Sequence, residues 1–254
     1  MLLVIDVGNT NTVLGVFDGE RLVTSWRVRT ERNTTEDEFN VLVRNLFSLN
    51  RIDPSAIDRT AISCVVPPMV SLLDAFCGKY LGHRPIWVNP RQSDIIPNLY
   101  HNPSEVGADR IVNAVAAYHK YRSALIVIDF GTATTFDAIS ARGEYLGGAI
   151  SPGIGISAEA LFIAASKLPR VEIFQPPDAV IGKDTAASIK SGIIFGYAGL
   201  VDGVVRRMRR ELDGNAKVIA TGGLAPLLKD VAETIEAVEP DLTLVGLRLI
   251  AEAS

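Results

Sequence analysis

The sequence predicts an α/β protein of two similar halves, residues 1–120 and 121–254, with a ligand cleft between them. Three observations carry that expectation. A short apolar run, Leu2 to Ile5, delivers Asp6 into a turn of Gly8, Asn9, Thr10, Asn11 and Thr12, with apolar residues resuming at Val13. Leu125 to Ile128 does the same for Asp129, Phe130, Gly131, Thr132, Ala133, Thr134 and Thr135, and one interval separates both Asp6 from Asp129 and Gly8 from Gly131. The order of strands and helix after each turn is also alike, and self-similarity at equivalent points marks an internal repeat.

In chain order, the first apolar run reads as a buried strand and the second, from Val13, as its hairpin partner. After the turn Asp18-Gly19-Glu20, residues Arg21 to Arg29 alternate in the manner of a third strand. Thr34 or Thr35 with Glu38 forms a capping box, and Phe39, Leu42, Val43, Leu46 and Phe47 follow at helical spacing to about Leu49. Thr60 to Val66 is a strand stopped by Pro67-Pro68, Val70 to Tyr80 a helix, and Pro85 to Val88 extended. The second half repeats the three strands, with Arg142-Gly143-Glu144 in place of the Asp18 turn and Tyr145 to Ile150 as the third strand. A helix near Ser157 to Ser166, a long one from Asp184 to Glu211, the strand Lys217 to Thr221, a helix Ala225 to Ile235 and a last strand near Leu242 are expected to complete it.

Composition narrows the function. With 254 residues, 48% of them hydrophobic, the chain can bury a sizeable core. A net charge of -4 argues against a nucleic-acid or anionic-membrane partner, since both need clustered positive charge, and favours a small molecule. The run Arg206, Arg207, Arg209, Arg210 reads as a solvated helix end that complements the dipole. Cys64 and Cys77 form neither a disulfide framework nor a zinc ribbon, which suits a reducing cytoplasm. His83, His101 and His119 lack neighbours at ligand spacing and are expected in core or surface roles. No apolar stretch of membrane-spanning length is expected, and the apolar start ends at Asp6 without the basic flank of a signal peptide, so the mature chain is expected to begin at Met1.

Four stretches carry chemistry. Each Asp-x-Gly turn sets backbone N–H groups and hydroxyls beside a carboxylate, which suits a phosphate and its magnesium, although a plain polar hairpin turn would look similar. Thr221-Gly222-Gly223, between a strand and a helix, permits close backbone approach to a bulky ligand such as a nucleoside, or is a tight turn. Asp109, in the first turn of a helix carrying Ile111, Val112, Val115 and Tyr118, either complements the helix start or accepts a proton from a substrate hydroxyl while Arg110 holds an anion. Gly192, Gly196, Gly199 and Gly203 line one side of the long helix and permit close approach of another backbone, within the chain or across a dimer seam.

Asp6-Val7-Gly8-Asn9-Thr10, Gly107-Ala108-Asp109-Arg110, Asp129-Phe130-Gly131-Thr132 and Thr221-Gly222-Gly223, in this order and over the whole chain, resemble the type III pantothenate kinase family. The resemblance implies the actin-like ATPase (ribonuclease H-like) fold shared by acetate and sugar kinases, heat-shock chaperones and actin. It implies ATP-dependent phosphorylation of pantothenate to 4'-phosphopantothenate, the first step of coenzyme A biosynthesis, by a cytoplasmic homodimer that uses magnesium and a monovalent cation, potassium or ammonium. Carried over by position, Asp6, Val7, Gly8, Asn9, Thr10, Asn11, Thr12 and Val13 would bind the ATP phosphates, with Asp6 also near magnesium, and Thr132 would touch ATP. Asp129 would hold the monovalent cation. Tyr100, Gly107, Ala108, Asp109, Arg110 and Thr185 would bind pantothenate, with Asp109 the catalytic proton acceptor. The rivals are a kinase of the same superfamily acting on another hydroxyl or carboxylate acceptor, and a non-catalytic regulatory factor; the presence of Asp6 and Asp109 weighs against the second.

Overall fold

In the computed structural model, which describes residues 1–91, 95–212 and 214–254, the chain divides into two compact units. One comprises Met1–Ala116 with Leu242–Ser254, the other Ala117–Asp241. The first unit opens with β1 (Leu2–Val7), β2 (Asn11–Asp18) and β3 (Arg21–Arg29), an antiparallel meander, followed by helix α1 (Glu36–Leu49). Thr35 and Glu38 make the expected capping box, the Thr35 hydroxyl accepting from Glu38 N and the Glu38 carboxylate accepting from Thr35 N. Strand β4 (Arg59–Cys64) pairs parallel with β1, then come α2 (Pro67–Phe76), a short β5 (Ile86–Trp87) and α3 (Ala108–Tyr121), whose first nine residues belong to this unit. The sheet runs β3-β2-β1-β4-β5. Leu3, Ile5 and Val7 of β1 are buried with Phe39, Val43, Leu73 and Phe76 from α1 and α2, as a central strand covered by helices requires.

The second unit repeats this plan with β6 (Leu125–Phe130), β7 (Ala133–Ile139) and β8 (Tyr145–Pro152), then α4 (Ile154–Ala164), α5 (Thr185–Glu211), β9 (Lys217–Thr221), α6 (Ala225–Lys229) and β10 (Ala237–Val238). Its sheet order, β10-β9-β6-β7-β8, is the first sheet read backwards, with β6 and β9 parallel as β1 and β4 are. The register places Asp6 opposite Ser63 and Asp129 opposite Thr221, so each half sets its aspartate at the carboxyl end of a parallel strand pair. Ligands of open α/β sheets bind at that end.

Three expectations are corrected. The segment near Leu242 is a helix, α7 (Leu242–Ala253), which packs against β1, β2 and β4 of the first unit. Leu242 and Leu244 alternate as in a strand, but Leu247, Ile250 and Ala251 continue at helical spacing and are buried. The last strand is β10. Helix α6 stops at Lys229, short of Ile235, because the Asp202 carboxylate of α5 accepts from Glu233 N (3.1 Å) and Thr234 N (2.9 Å), replacing the helical bonds those amides would make. Finally, α5 is long and apolar enough to cross a membrane by length and composition, contrary to the expectation from sequence. It lies in mid-chain, and its Ile194, Tyr197, Ala198, Val201 and Val205 sit in the second unit's core.

Candidate active site

The β1–β2 turn projects Asn9 and Thr10 into solvent while Asp6 and Gly8 stay half-buried. Gly8 N donates to Asn11 O at 3.0 Å, closing the turn. Asp6 lies near the Cys64 thiol at the end of β4. Burial pushes that thiol up from its ordinary range, the Val66 backbone contact opposes the rise, and the Asp6 charge adds to it. Thr12, expected among the phosphate contacts, is 1% exposed, and its hydroxyl is engaged with Thr30 at 2.9 Å. Its side chain therefore braces the turn from inside.

Helix α3 starts beside that turn. Val65 N donates to Val7 O at 3.1 Å, and the Val65 side chain packs against Gly107, so one residue joins the end of β1 to the start of α3. The Asp109 Oδ1 atom accepts from Arg110 N at 2.9 Å. A side chain at position 107 would collide with that same Oδ1, so glycine there is what leaves room for the carboxylate. Burial raises the Asp109 carboxyl above its usual range, with the Arg110 amide and guanidinium pulling the other way. Ala108 and Arg110 are buried, whereas Tyr100 is 36% exposed, its backbone N donating to Asn98 Oδ1 at 3.0 Å.

In the second unit the β6–β7 turn is closed by Gly131 N donating to Ala133 O at 3.1 Å. Gly153, ahead of α4, donates its N–H to Thr132 O at 3.1 Å and could carry no side chain without striking that oxygen. Gly222, with φ +91°, lies where a Cβ would fall 2.6 Å from Phe130 O and 2.7 Å from Asp129 Oδ1. A left-handed backbone and this close approach both demand glycine. The carbonyl and the carboxylate thus crowd one small space, an oxygen pair of the kind a hard cation prefers. Among the described residues no group of three or more His, Cys, Asp or Glu could hold a metal by itself.

Thr185 is exposed at the first position of α5, after its N-cap Asp184, whose carboxylate accepts from Ala187 N. It lines an open groove of about 600 Å³ with Leu161, Lys183, Asp184, Ser188 and Ile189. Thr30, Val65 and Gly153 escaped the sequence reading. Gly153 had a legible signal in Ser151-Pro152-Gly153-Ile154-Gly155, small residues between a strand and a helix. Thr30 and Val65 had none, since their roles arise from cross-strand contacts.

Comparison with known proteins gives the family and the fold. The family profile described as type III pantothenate kinase matches residues 2–207. A type III pantothenate kinase of Desulfatibacillum aliphaticivorans is 69% identical over 250 residues, covering 98% of this chain and 97% of that one. Two solved structures share the fold at low identity. One is a Baf-family candidate transcriptional activator from Campylobacter jejuni, with TM-score 0.61 and 18% identity over 99% of this chain and 98% of that one. The other is the ROK hexokinase of Thermus thermophilus, with TM-score 0.53 and 13% identity over 100% and 99%. The hexokinase likeness agrees with the actin-like fold that the family resemblance implies, and with a matching profile and a full-length relative of such identity the chain belongs to the type III pantothenate kinase family.

Proposed function

We propose that the chain transfers the γ-phosphoryl group of ATP to the primary hydroxyl of pantothenate, giving 4'-phosphopantothenate for coenzyme A biosynthesis. Family membership supports the reaction, and the observation that carries the residue roles is the Asp109 carboxylate, fixed by the Arg110 amide and the bare Gly107 at the start of α3, beside the β1–β2 turn. Phosphoryl transfer passes through a loose transition state, so positioning and charge neutralisation supply most of the acceleration. Asp109 therefore acts mainly by orienting the hydroxyl, and its raised pKa suits it to take up the proton that hydroxyl releases. The N–H groups of the β1–β2 turn receive ATP phosphate oxygens. Asp6 would hold magnesium, which when bound neutralises charge developing on the phosphates.

Asp129, with Phe130 O crowding Gly222 beside it, is the candidate for a monovalent cation, potassium or ammonium, and Thr132 for nucleotide contact. Tyr100, Gly107 to Arg110 and Thr185 are the candidates for pantothenate. A homodimer is supported by α5, where Gly192, Gly196 and Gly199 face open space among the described residues, and by exposed Ile156, Phe162 and Ile163 on α4. Light scattering tests it, and a monomer at micromolar concentration would overturn it. The two free cysteines, Cys64 and Cys77, support a reducing cytoplasmic setting. The Baf-family likeness shows the fold alone at 18% identity and lends no support to a regulatory role. The reaction is tested by coupled ADP release with pantothenate against a panel of sugars and acetate, with and without potassium. Pantothenate-dependent release is expected, and release indifferent to pantothenate would refute the reading.

A further inference from the structure

The tip of the β1–β2 turn has almost no packing to fix it, because Asn9 and Thr10 are exposed. Besides the turn's own bond from Gly8 N to Asn11 O, polar contacts from the residues after β3 hold it. The β2–β3 ladder ends at the pair Asn11 and Arg29, and Thr30 extends it by donating its N–H to Thr10 O at 3.0 Å. The Thr30 hydroxyl donates to Gly8 O at 2.7 Å. With its only hydrogen committed there, Thr30 Oγ1 accepts from the Thr12 hydroxyl at 2.9 Å. A directional chain therefore runs from Thr12 through Thr30 to Gly8, and both threonines are buried, at 1% and 8% exposure. Two residues on, Arg32 Nη2 donates to Asn9 Oδ1 at 3.1 Å, on the outer side of the turn.

We propose that Thr30, assisted by Arg32, is a positioning residue for the phosphate-binding turn: it sets the Gly8 and Thr10 peptide planes so that the tip N–H groups face the ATP phosphates before nucleotide arrives. The proposal rests on the reading of the β1–β2 turn as the ATP phosphate site. Gly8 and Thr10 each give a carbonyl to Thr30, so their peptide groups cannot rotate without losing a bond. A turn whose donors are already aimed avoids the ordering cost of binding, which is where preorganisation yields affinity. Thr30 touches no reacting atom; its influence passes through the backbone.

Thr30→Val keeps the shape and the backbone bond to Thr10 but leaves Gly8 O and the Thr12 hydroxyl without their partner. Steady-state kinetics should show the ATP KM raised about three- to tenfold, as loss of one buried hydrogen bond allows, with the pantothenate KM close to the parent and the thermal midpoint a few degrees lower, because two polar groups lose their partner. Thr30→Ser restores the hydroxyl and should restore the ATP KM. An unchanged ATP KM in Thr30→Val, equal rises in both KM values, or a Thr30→Ser variant as weak as Thr30→Val would each overturn the proposal. Should Thr30→Val fail to fold, the surface change Arg32→Ala carries the same expectation at about twofold, and an unchanged ATP KM there overturns it. Asp6→Asn separates the two readings. If it leaves kcat and ATP KM untouched, the phosphate site itself is misassigned, whereas a strong Asp6→Asn effect beside a silent Thr30→Val defeats the positioning role alone.

Discussion

Replacing Gly107 by alanine adds one methyl group in the place that the Asp109 carboxylate uses. The atom it meets is Asp109 Oδ1, the free end of a side chain, so the fold can yield by turning the carboxylate away without moving backbone. Folding should notice little. The turned carboxylate loses its bond from Arg110 N, about 1 kcal/mol, while alanine stiffens the unfolded chain by roughly 0.4–1 kcal/mol in the opposite sense. Catalysis should notice a great deal, because displacing a reacting group by about 1 Å can lower the rate on the order of 10²-fold. We therefore expect Gly107→Ala to lose about 10²-fold in kcat in the coupled ADP-release assay, with a near-parental ATP KM and thermal midpoint. The double variant with Asp109→Asn should be no slower than Asp109→Asn alone, since both changes remove the same function. A kcat within about threefold of the parent, or additive losses in the double variant, would refute the reasoning.

Burial raises the Asp109 carboxyl in the free enzyme, so kcat/KM for pantothenate should climb with pH through an apparent pKa above the ordinary aspartate range, a limb that a pH–rate profile reads and Asp109→Asn should abolish. The same shift has a stability sign: the folded chain holds this proton to a higher pH than the unfolded chain, so the parent loses stability as pH rises through the raised value. Denaturant titrations should find Asp109→Asn the more stable of the two above that pH, and lacking this advantage below it. Asp129→Ala should blunt activation by potassium or ammonium, and unchanged cation dependence in salt-titrated rates would count against the assigned site. Gly246→Ala places a Cβ against Val112 O and its side chain, so α7 must shift on α3. A loss of about 1–3 kcal/mol is expected from thermal or urea unfolding.

The paired turns were legible because Asp6 and Asp129 end near-continuous apolar runs, and the sheets built on them repeat each other strand for strand. The capping box at Thr35 was legible for a similar reason: its chemistry is complete within four residues. What escaped depended on contacts distant in the chain. Helix α6 ends early because a carboxylate on α5 captures its amides. The Thr12 hydroxyl bonds Thr30, a partner that only strand register identifies. Gly107 was marked by resemblance, and the structure adds a reason for it, the space that Asp109 Oδ1 occupies.

Helix α7 gives the chain an asymmetry in time. The unit that begins at Met1 is finished by Leu242–Ser254, so an early segment waits for a much later one, while Ala117–Asp241 is a single uninterrupted stretch. The faces of β1 and β4 that α7 covers therefore gain their helix only after the chain has run through the whole of the second unit.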